Sequence, residues 1–316
     1  MTSKIATREA YGKALAELGK NNSQVVVLDA DLSKSTKTAD FARVFPERFF
    51  NMGIAEQNLV CTAAGLAAAG KIPFASTFAV FATGRAFEQI RNSVAYTKLN
   101  VKIAATHAGV TVGEDGGSHQ SVEDIAIMRS LPNMTVFVPA DEAETFGAVR
   151  AAAGVQGPVY IRLGRAAVPP VHPEGFQFVP GRADVLREGR DATVIAAGIM
   201  VSAALEAAGA LAGEGIEVRV LSMHTVKPLD AEAVLTAARE TGALVTAEEH
   251  SVIGGLGGAV CEAVCEKFPV PVKRVGLPDV FGESGKPGEL LEKFGLTPAG
   301  IADAVREAVE MKKSRG

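Results

Sequence analysis

The sequence contains no tryptophan, three tyrosines and three cysteines in 316 residues. The cysteines are Cys61, Cys261 and Cys265, an odd number with no CxxC pair. Such a set does not predict a disulfide framework. We expect small buried thiols, with a metal or redox pair at Cys261 and Cys265 as the alternative.

The sequence also has no long apolar run and no large excess of basic or acidic residues. No window of about 18 apolar residues is free of charge, so we expect no membrane span. The first residues resemble no signal peptide, which makes the cytoplasm the expected location. Because 32 basic and 36 acidic residues are mixed along the chain, for a net charge of −4, we do not expect nucleic acid as a partner.

What the sequence does contain is a regular alternation of short β-branched runs with helical patterns, which is typical of α/β folds with parallel sheets. With 47% hydrophobic residues, the chain is long enough for two domains. The predicted strands cover residues 25–29, 74–78, 101–107, 135–139, 159–163, 193–197, 218–222, 244–247 and 272–275. The predicted helices of the first half cover residues 7–18, 55–69, 84–96, 121–130 and 142–153.

A proline-rich segment interrupts this alternation. Residues 166–181 contain four prolines and no helical period, which indicates a linker. We therefore predict a first domain over residues 1–168, a linker over 169–187 and a second domain over 188–316, each a mostly parallel sheet flanked by helices.

Polar loops follow three strands of the first domain, over residues 29–36, 106–120 and 162–165. Ligands of open parallel sheets bind beyond the carboxyl ends of the strands. The second loop combines two histidines with acidic residues and glycines, a composition suited to proton transfer and close ligand approach. A polar loop that caps the next helix is the alternative.

Glu56 begins a helix that carries no further charge before Lys71. Taken alone, it is an ordinary first-turn carboxylate favoured by the helix dipole.

Four strings make the sequence resemble the C-terminal half of transketolase: NMGIAEQN, PFASTFAVFA, THAGVTVGEDGGSHQSVED and LPNMTVFVPADEAE. The resemblance covers nearly the whole chain. It implies a pyrimidine-binding domain followed by the transketolase C-terminal domain.

Transketolases use thiamine diphosphate, and the resemblance implies how this chain contacts it. Glu56 matches the glutamate that hydrogen-bonds the aminopyrimidine ring and thereby assists removal of the thiazolium C2 proton. Phe78 and Phe81 match aromatic residues around that ring, and Asp31 matches an aspartate near the cofactor across the subunit interface. The third aromatic residue of the family is replaced by Gly84.

The resemblance also implies a substrate site for a ketose phosphate. Asp115 and His119 match the pair that contacts the hydroxyls of the donor. The terminal phosphate is assigned to two guanidinium groups, a hydroxyl and an imidazole, which form a suitable donor set for a dianion: Arg8, Arg165, Ser35 and His107. Ala108 stands where transketolases usually carry aspartate.

The family's Gly-Asp-Gly motif with a downstream asparagine, which holds the diphosphate and the metal, has no counterpart in the sequence. The chain therefore resembles one subunit of a split transketolase and has no metal ligands of its own for magnesium. We expect an N-terminal partner subunit to supply them, in a heterotetramer. The expected reaction is two-carbon ketol transfer between sugar phosphates in the pentose phosphate pathway.

Three alternatives stay open at this point. One is a 1-deoxy-xylulose-5-phosphate synthase, against which the GEDG string and Phe81 argue. Another is the beta subunit of a 2-oxo acid dehydrogenase, whose corresponding loop differs from GEDGGSHQ. The third is a catalytically idle, regulatory partner, which would have no reason to keep Glu56, Asp115, His119 and Arg165 together.

Overall fold

The computed structural model describes residues 4–173 and 175–314, so residues 1–3 of the first predicted domain, residue 174 of the linker and residues 315–316 of the second domain lie outside the described part. The strands are β1 Ile5–Ala6, β2 Val25–Asp29, β3 Phe49–Asn51, β4 Ile72–Phe78, β5 Lys102–Thr106, β6 Thr135–Phe137, β7 Val159–Arg162, β8 Ala167–Val168, β9 Asp184–Arg187, β10 Ala192–Ala196, β11 Val218–Ser222, β12 Thr225–Lys227, β13 Leu244–Ser251 and β14 Val272–Leu277. The α-helices are α1 Thr7–Asn21, α2 Ser33–Thr36, α3 Ala39–Val44, α4 Glu56–Ala68, α5 Phe87–Gln89, α6 Asp124–Ser130, α7 Glu142–Gly154, α8 Met200–Ala212, α9 Ala231–Thr241, α10 Leu256–Lys267, α11 Pro287–Lys293 and α12 Pro298–Lys313.

The first sheet has seven strands in the order β12-β6-β7-β5-β4-β2-β3. All neighbours are parallel except β12, which pairs with β6 in the antiparallel sense. The residues of β2 and β5 are all buried, as expected for strands covered by helices on both faces. One face packs on α1 through Tyr11 and Leu15, and the other packs on α4 through Leu59.

The second sheet has the order β14-β13-β10-β11-β9, with only β9 antiparallel to its neighbour. Helices α8 and α12 cover one face through Met200 and Val305. Helices α9 and α10 cover the other face through Val234 and Val260, and these residues belong to the same apolar cluster as Leu59 of the first half. The two sheets therefore share a continuous core.

The predicted α/β class with two mostly parallel sheets is confirmed, and all nine predicted strands are present within a few residues of their predicted ends. The predicted helix over 84–96 is wrong as a regular α-helix. It consists of two π-helical segments, Phe81–Arg85 and Ile90–Ala95, on either side of α5. The short strands β1, β3, β8, β9 and β12 have too few residues to show an alternating pattern.

The prediction of buried thiols is wrong for at least two of the three cysteines. Cys61 and Cys265 are exposed and Cys261 is partly exposed, all as free thiols. Cys61 lies on the outer face of α4, whose buried side includes Leu59 and Ala63. In the described part of the chain, no helix is both long and apolar enough to cross a membrane.

Candidate active site

Five neighbouring strands of the first sheet end at one edge, where most of the predicted site residues lie. Phe78 is the last residue of β4. In the sheet order β7-β5-β4-β2-β3, the other four strands are followed by Arg165 (β7), His107 (β5), Asp31 (β2) and Glu56 (β3). These strands are parallel, so their carboxyl ends meet at the same edge. The order puts the basic residues at one end of the edge and Glu56 at the other.

Glu56 begins α4 and has a side chain that is 1% exposed. Its Oε2 accepts a hydrogen bond of 2.8 Å from Nη1 of Arg85. The Arg85 guanidinium also lies 4.6 Å from the centroid of the Phe81 ring. Arg85 could not be predicted from the sequence, because an arginine in a helical pattern is most often a solvated side chain. Glu56 is therefore a buried carboxylate with a charged partner, and not the isolated carboxyl group that the sequence suggests.

Phe78 and Phe81 stack with their ring centroids 5.9 Å apart and an angle of 13° between the rings. His107 stacks on Phe78 at 3.9 Å, and the His119 ring stands edge-on to Phe81 at 5.4 Å. A Cβ atom added at Gly84 would have no neighbour within 4 Å. Phe78 and Phe81 thus form a stacked aromatic pair, and the space beside Gly84 is open.

Arg8 contacts two further residues of the predicted phosphate site, Ser35 and His107. Its Nη1 donates a 2.9 Å hydrogen bond to the backbone oxygen of Ser35 and lies 3.2 Å from Nε2 of His107. Its Nε is buried and has no hydrogen-bond partner in the described part of the chain. A buried guanidinium nitrogen without an acceptor is a position at which a bound anion would be stabilised.

His107 is a neutral imidazole in this environment. Burial, together with the positive charges of Arg8 and Arg165, lowers its pKa to about 3. Because a guanidinium can only donate, Nε2 of His107 accepts from Arg8, and Nδ1 carries the proton toward Oγ1 of Thr106 at 2.8 Å. The same two arginines make this corner of the site electropositive.

Arg165 and Asp115 approach each other at the entrance of the site. Nη1 of Arg165 donates to the backbone oxygen of Val112 at 2.6 Å and lies 3.3 Å from Oδ2 of Asp115. The side chains are 37% and 45% exposed, so this ion pair is solvent-screened and easily exchanged for a ligand. His119 is held by Ser118, whose Oγ lies 2.9 Å from its Nδ1.

Ser35 and Asp31 are positioned by polar side chains at the ends of β2 and β3. Both oxygens of the buried Asp29 accept hydrogen bonds from the segment around α2, which carries Ser35. Asp31 has a φ of 64° and exchanges two hydrogen bonds with the side chain of Asn51, at 2.9 and 3.1 Å. Within the described residues, Asp31 makes no hydrogen bond to another predicted site residue.

Glu249, on β13 of the second sheet, supports the loop that carries Asp115. Its Oε1 accepts a 2.7 Å hydrogen bond from the backbone nitrogen of Thr111. Burial raises the pKa of this carboxyl group to about 7. Gly109 has a φ of 82°, and a Cβ atom there would lie 2.1 Å from Cδ of Glu249. The sequence signal that could have found this residue was the polar string 248–250 at the end of a predicted strand.

Two family models match the chain in the predicted order. The family described as "Transketolase, pyrimidine binding domain" matches residues 3–170, and "Transketolase, C-terminal domain" matches residues 181–301. Together they cover both sheets.

Individual proteins match over almost the full chain. A putative transketolase C-terminal section of Methanocaldococcus jannaschii is 51% identical over 97% of this chain and 96% of its own length. The 6-deoxy-6-sulfo-D-fructose transketolase subunit SqwH of Clostridium sp. (strain MSTE9) is 47% identical over 98% of this chain and 96% of its own. A solved structure described as a split gene transketolase, inactive beta4 tetramer, is 62% identical with a TM-score of 0.91, and the match covers 98% of this chain and 100% of that one. The chain therefore belongs to the transketolase family and carries its pyrimidine-binding and C-terminal domains.

Proposed function

We propose that this chain is the C-terminal subunit of a thiamine diphosphate-dependent transketolase, which moves a two-carbon ketol unit from a ketose phosphate to an aldose phosphate. The observation that carries the proposal is the arrangement along one sheet edge. The electropositive corner of Arg8, His107 and Arg165 adjoins the aromatic pair, and the buried Glu56 lies beyond it.

The aromatic pair of Phe78 and Phe81, together with Glu56, fits the pyrimidine ring of thiamine diphosphate. When bound, this cofactor supplies the carbon nucleophile that carries the two-carbon unit. Phe78 and Phe81 present parallel ring faces for stacking, and the open side at Gly84 leaves room for the ring to enter. Glu56 would hold the proton that is shared with a ring nitrogen, in place of its present hydrogen bond with Arg85.

The basic corner fits the terminal phosphate of a sugar. Arg8 offers its unpaired Nε, and Arg165 can exchange the exposed carboxylate of Asp115 for a phosphate oxygen. A dianion there would reverse the local field that keeps His107 neutral and allow its Nε2 to become a donor. Asp115, once released, and His119 are then available to the hydroxyl groups of the donor sugar. The relative that acts on a sulfosugar indicates that a sulfonate is the competing anion.

A second subunit completes the site in this proposal. It would supply the diphosphate and magnesium ligands, and we expect two copies of each chain in the assembly. The tetramer of a 62% identical chain alone is described as inactive, which supports the need for such a partner.

The proposal is tested with the chain alone and with its co-expressed N-terminal partner. With thiamine diphosphate and magnesium in excess, the pair should form products from xylulose 5-phosphate and ribose 5-phosphate, and the chain alone should form none. Turnover by the single chain would contradict the split-subunit proposal. If the pair instead joins pyruvate to glyceraldehyde 3-phosphate, the protein is a synthase. If it oxidises a 2-oxo acid with an electron acceptor, it is a dehydrogenase subunit. If the pair is inactive in all of these assays, the chain has a regulatory role.

A further inference from the structure

A second cluster of ionisable side chains lies between the two sheets, with no residue in common with the site above. Glu144 belongs to α7, His172 to the linker, Asp184 begins β9, and His224 immediately precedes β12. Nε2 of His172 lies 3.1 Å from Oε1 of Glu144, and Nε2 of His224 lies 3.2 Å from Oδ2 of Asp184. One ligand atom from each of Glu144, His172 and Asp184 lies within 4.8 Å of the others.

Three atoms of this cluster have no hydrogen-bond partner in the described part of the chain: Nε2 of His172, Nε2 of His224 and Oδ2 of Asp184. The two imidazole side chains are 1% and 0% exposed. The facing carboxylate oxygens are near, but the alignment required for a hydrogen bond is missing. Buried polar atoms without partners are unfavourable, so their convergence indicates a ligand that all of them contact.

The opposite ends of these side chains are held by further polar groups. Nδ1 of His172 lies 3.1 Å from Oδ2 of Asp141, and Nδ1 of His224 lies 2.9 Å from Oγ1 of Thr225. With a proton on each Nδ1, both Nε2 atoms present lone pairs to the cluster. The second oxygen of Glu144 accepts a 2.6 Å hydrogen bond from the backbone nitrogen of Ala140. Outer contacts of this kind orient the ligands in protein metal sites.

Two separations within the cluster fit a small divalent cation. Ligand bonds of about 2.0–2.1 Å in a tetrahedral arrangement place neighbouring ligand atoms about 3.3 Å apart. The two imidazole–carboxylate separations of 3.1 and 3.2 Å are close to this value. Imidazole ligands favour zinc and its neighbours over magnesium or calcium, which prefer sets made of oxygen alone.

We propose that Glu144, His172 and Asp184 form a structural binding site for a divalent transition metal, with zinc as the best fit and with His224, which lies outside that group of three but 3.2 Å from Asp184, moving in as the fourth ligand. Four protein ligands leave no open position for catalysis, so the ion would join α7, the linker and the second half of the chain. Asp184, with 28% of its side chain exposed, provides the path of entry. The site is independent of the proposed function.

The test uses the full chain with Cys261→Ser and Cys265→Ser, since these free thiols lie four residues apart on α10 and could bind zinc themselves. The chain is stripped with a chelator and titrated with zinc chloride by calorimetry, and bound metal is counted by elemental analysis. We expect one zinc ion per chain and a higher thermal midpoint with zinc. Cobalt in place of zinc should give the visible absorption of a tetrahedral ion.

Asp184→Asn and His224→Gln should each weaken zinc binding at least ~100-fold and abolish the thermal shift. Asp184 is partly exposed, so its variant should fold even if the buried His224→Gln does not. His250→Gln is the matched control, because His250 is also a buried imidazole near a carboxylate, 3.7 Å from Glu248. The His250→Gln chain should bind zinc as tightly as the wild type. Failure of the stripped chain to bind zinc, or equal binding by Asp184→Asn, would overturn the proposal and leave a cluster of paired imidazole and carboxylate groups without a metal.

Discussion

Replacement of Arg165 by alanine should separate phosphorylated from unphosphorylated donors in the assembled enzyme. The guanidinium of Arg165 donates to the backbone of Val112 and pairs with Asp115 at the entrance of the site. The proposal assigns it a phosphate contact that only a sugar phosphate can make. Arg165→Ala should therefore lower kcat/KM for xylulose 5-phosphate and leave that for xylulose nearly unchanged.

The expected size of the effect follows from the exposure of the side chain. A charge-assisted hydrogen bond contributes about 1.5–3 kcal/mol, which corresponds to ~10- to 100-fold in rate. Because 37% of the Arg165 side chain is exposed, the decrease in kcat/KM caused by Arg165→Ala should be near ~10-fold. Arg8 has a buried, unpaired Nε, so Arg8→Ala should fall near the ~100-fold end.

The assay measures kcat/KM for both donors with one acceptor, in the wild-type pair and in each variant. Arg165→Lys is the matched control, since it keeps the charge but loses the planar fork and should fall between wild type and alanine. An equal loss with both donors would mean that Arg165 supports the loop through Val112 or acts on the cofactor. No loss with either donor would exclude sugar phosphates as the substrate class.

Two further predictions concern carboxyl groups. Glu56→Gln in the assembled enzyme should keep the thermal midpoint but lower the rate of thiazolium C2 proton exchange ~100- to 10,000-fold, because an amide cannot take up the shared proton; near-normal exchange would refute the role of Glu56. Glu249 has a pKa raised from 4.5 to about 7 in the folded chain, so the folded state binds its proton more tightly than the unfolded state does. Its contribution to the free energy of unfolding is fully present below pH 4.5 and decreases as the pH rises to about 7. Denaturant titrations between these values should show that decrease in wild type and a smaller one in Glu249→Gln; identical profiles would contradict the assignment.

The sequence predicted the repeated units of the fold, in which a buried strand alternates with a helix. Long β-branched runs such as β2 and β11 have the bounds that their pattern predicts, because burial on both faces leaves no other assignment. The π-helical segments around α5 were missed, since an apolar helical period does not distinguish i→i+4 from i→i+5 hydrogen bonding. Strand β12 was missed because its partner lies about 90 residues earlier in the chain.

For the candidate site, the sequence predicted which residue types gather but not which of them pair. The resemblance pointed to Glu56, Arg165 and Asp115, but not to Arg85. The pairing of Glu56 with Arg85 and of Arg165 with Asp115 depends on side-chain directions that only the folded chain defines. Glu249 was missed as a support of the loop because it comes from the other sheet, and no local spacing connects residue 249 to Thr111.

The antiparallel pairing of β12 with β6 means that the first sheet takes its last strand from beyond the linker. A cut in the linker would therefore yield two fragments that remain associated under native conditions. A chain that ended at residue 170 would leave the hydrogen-bonding groups of β6 unpaired at an open edge, where other chains can add. The two halves of this protein are thus a single unit for expression, truncation and domain exchange.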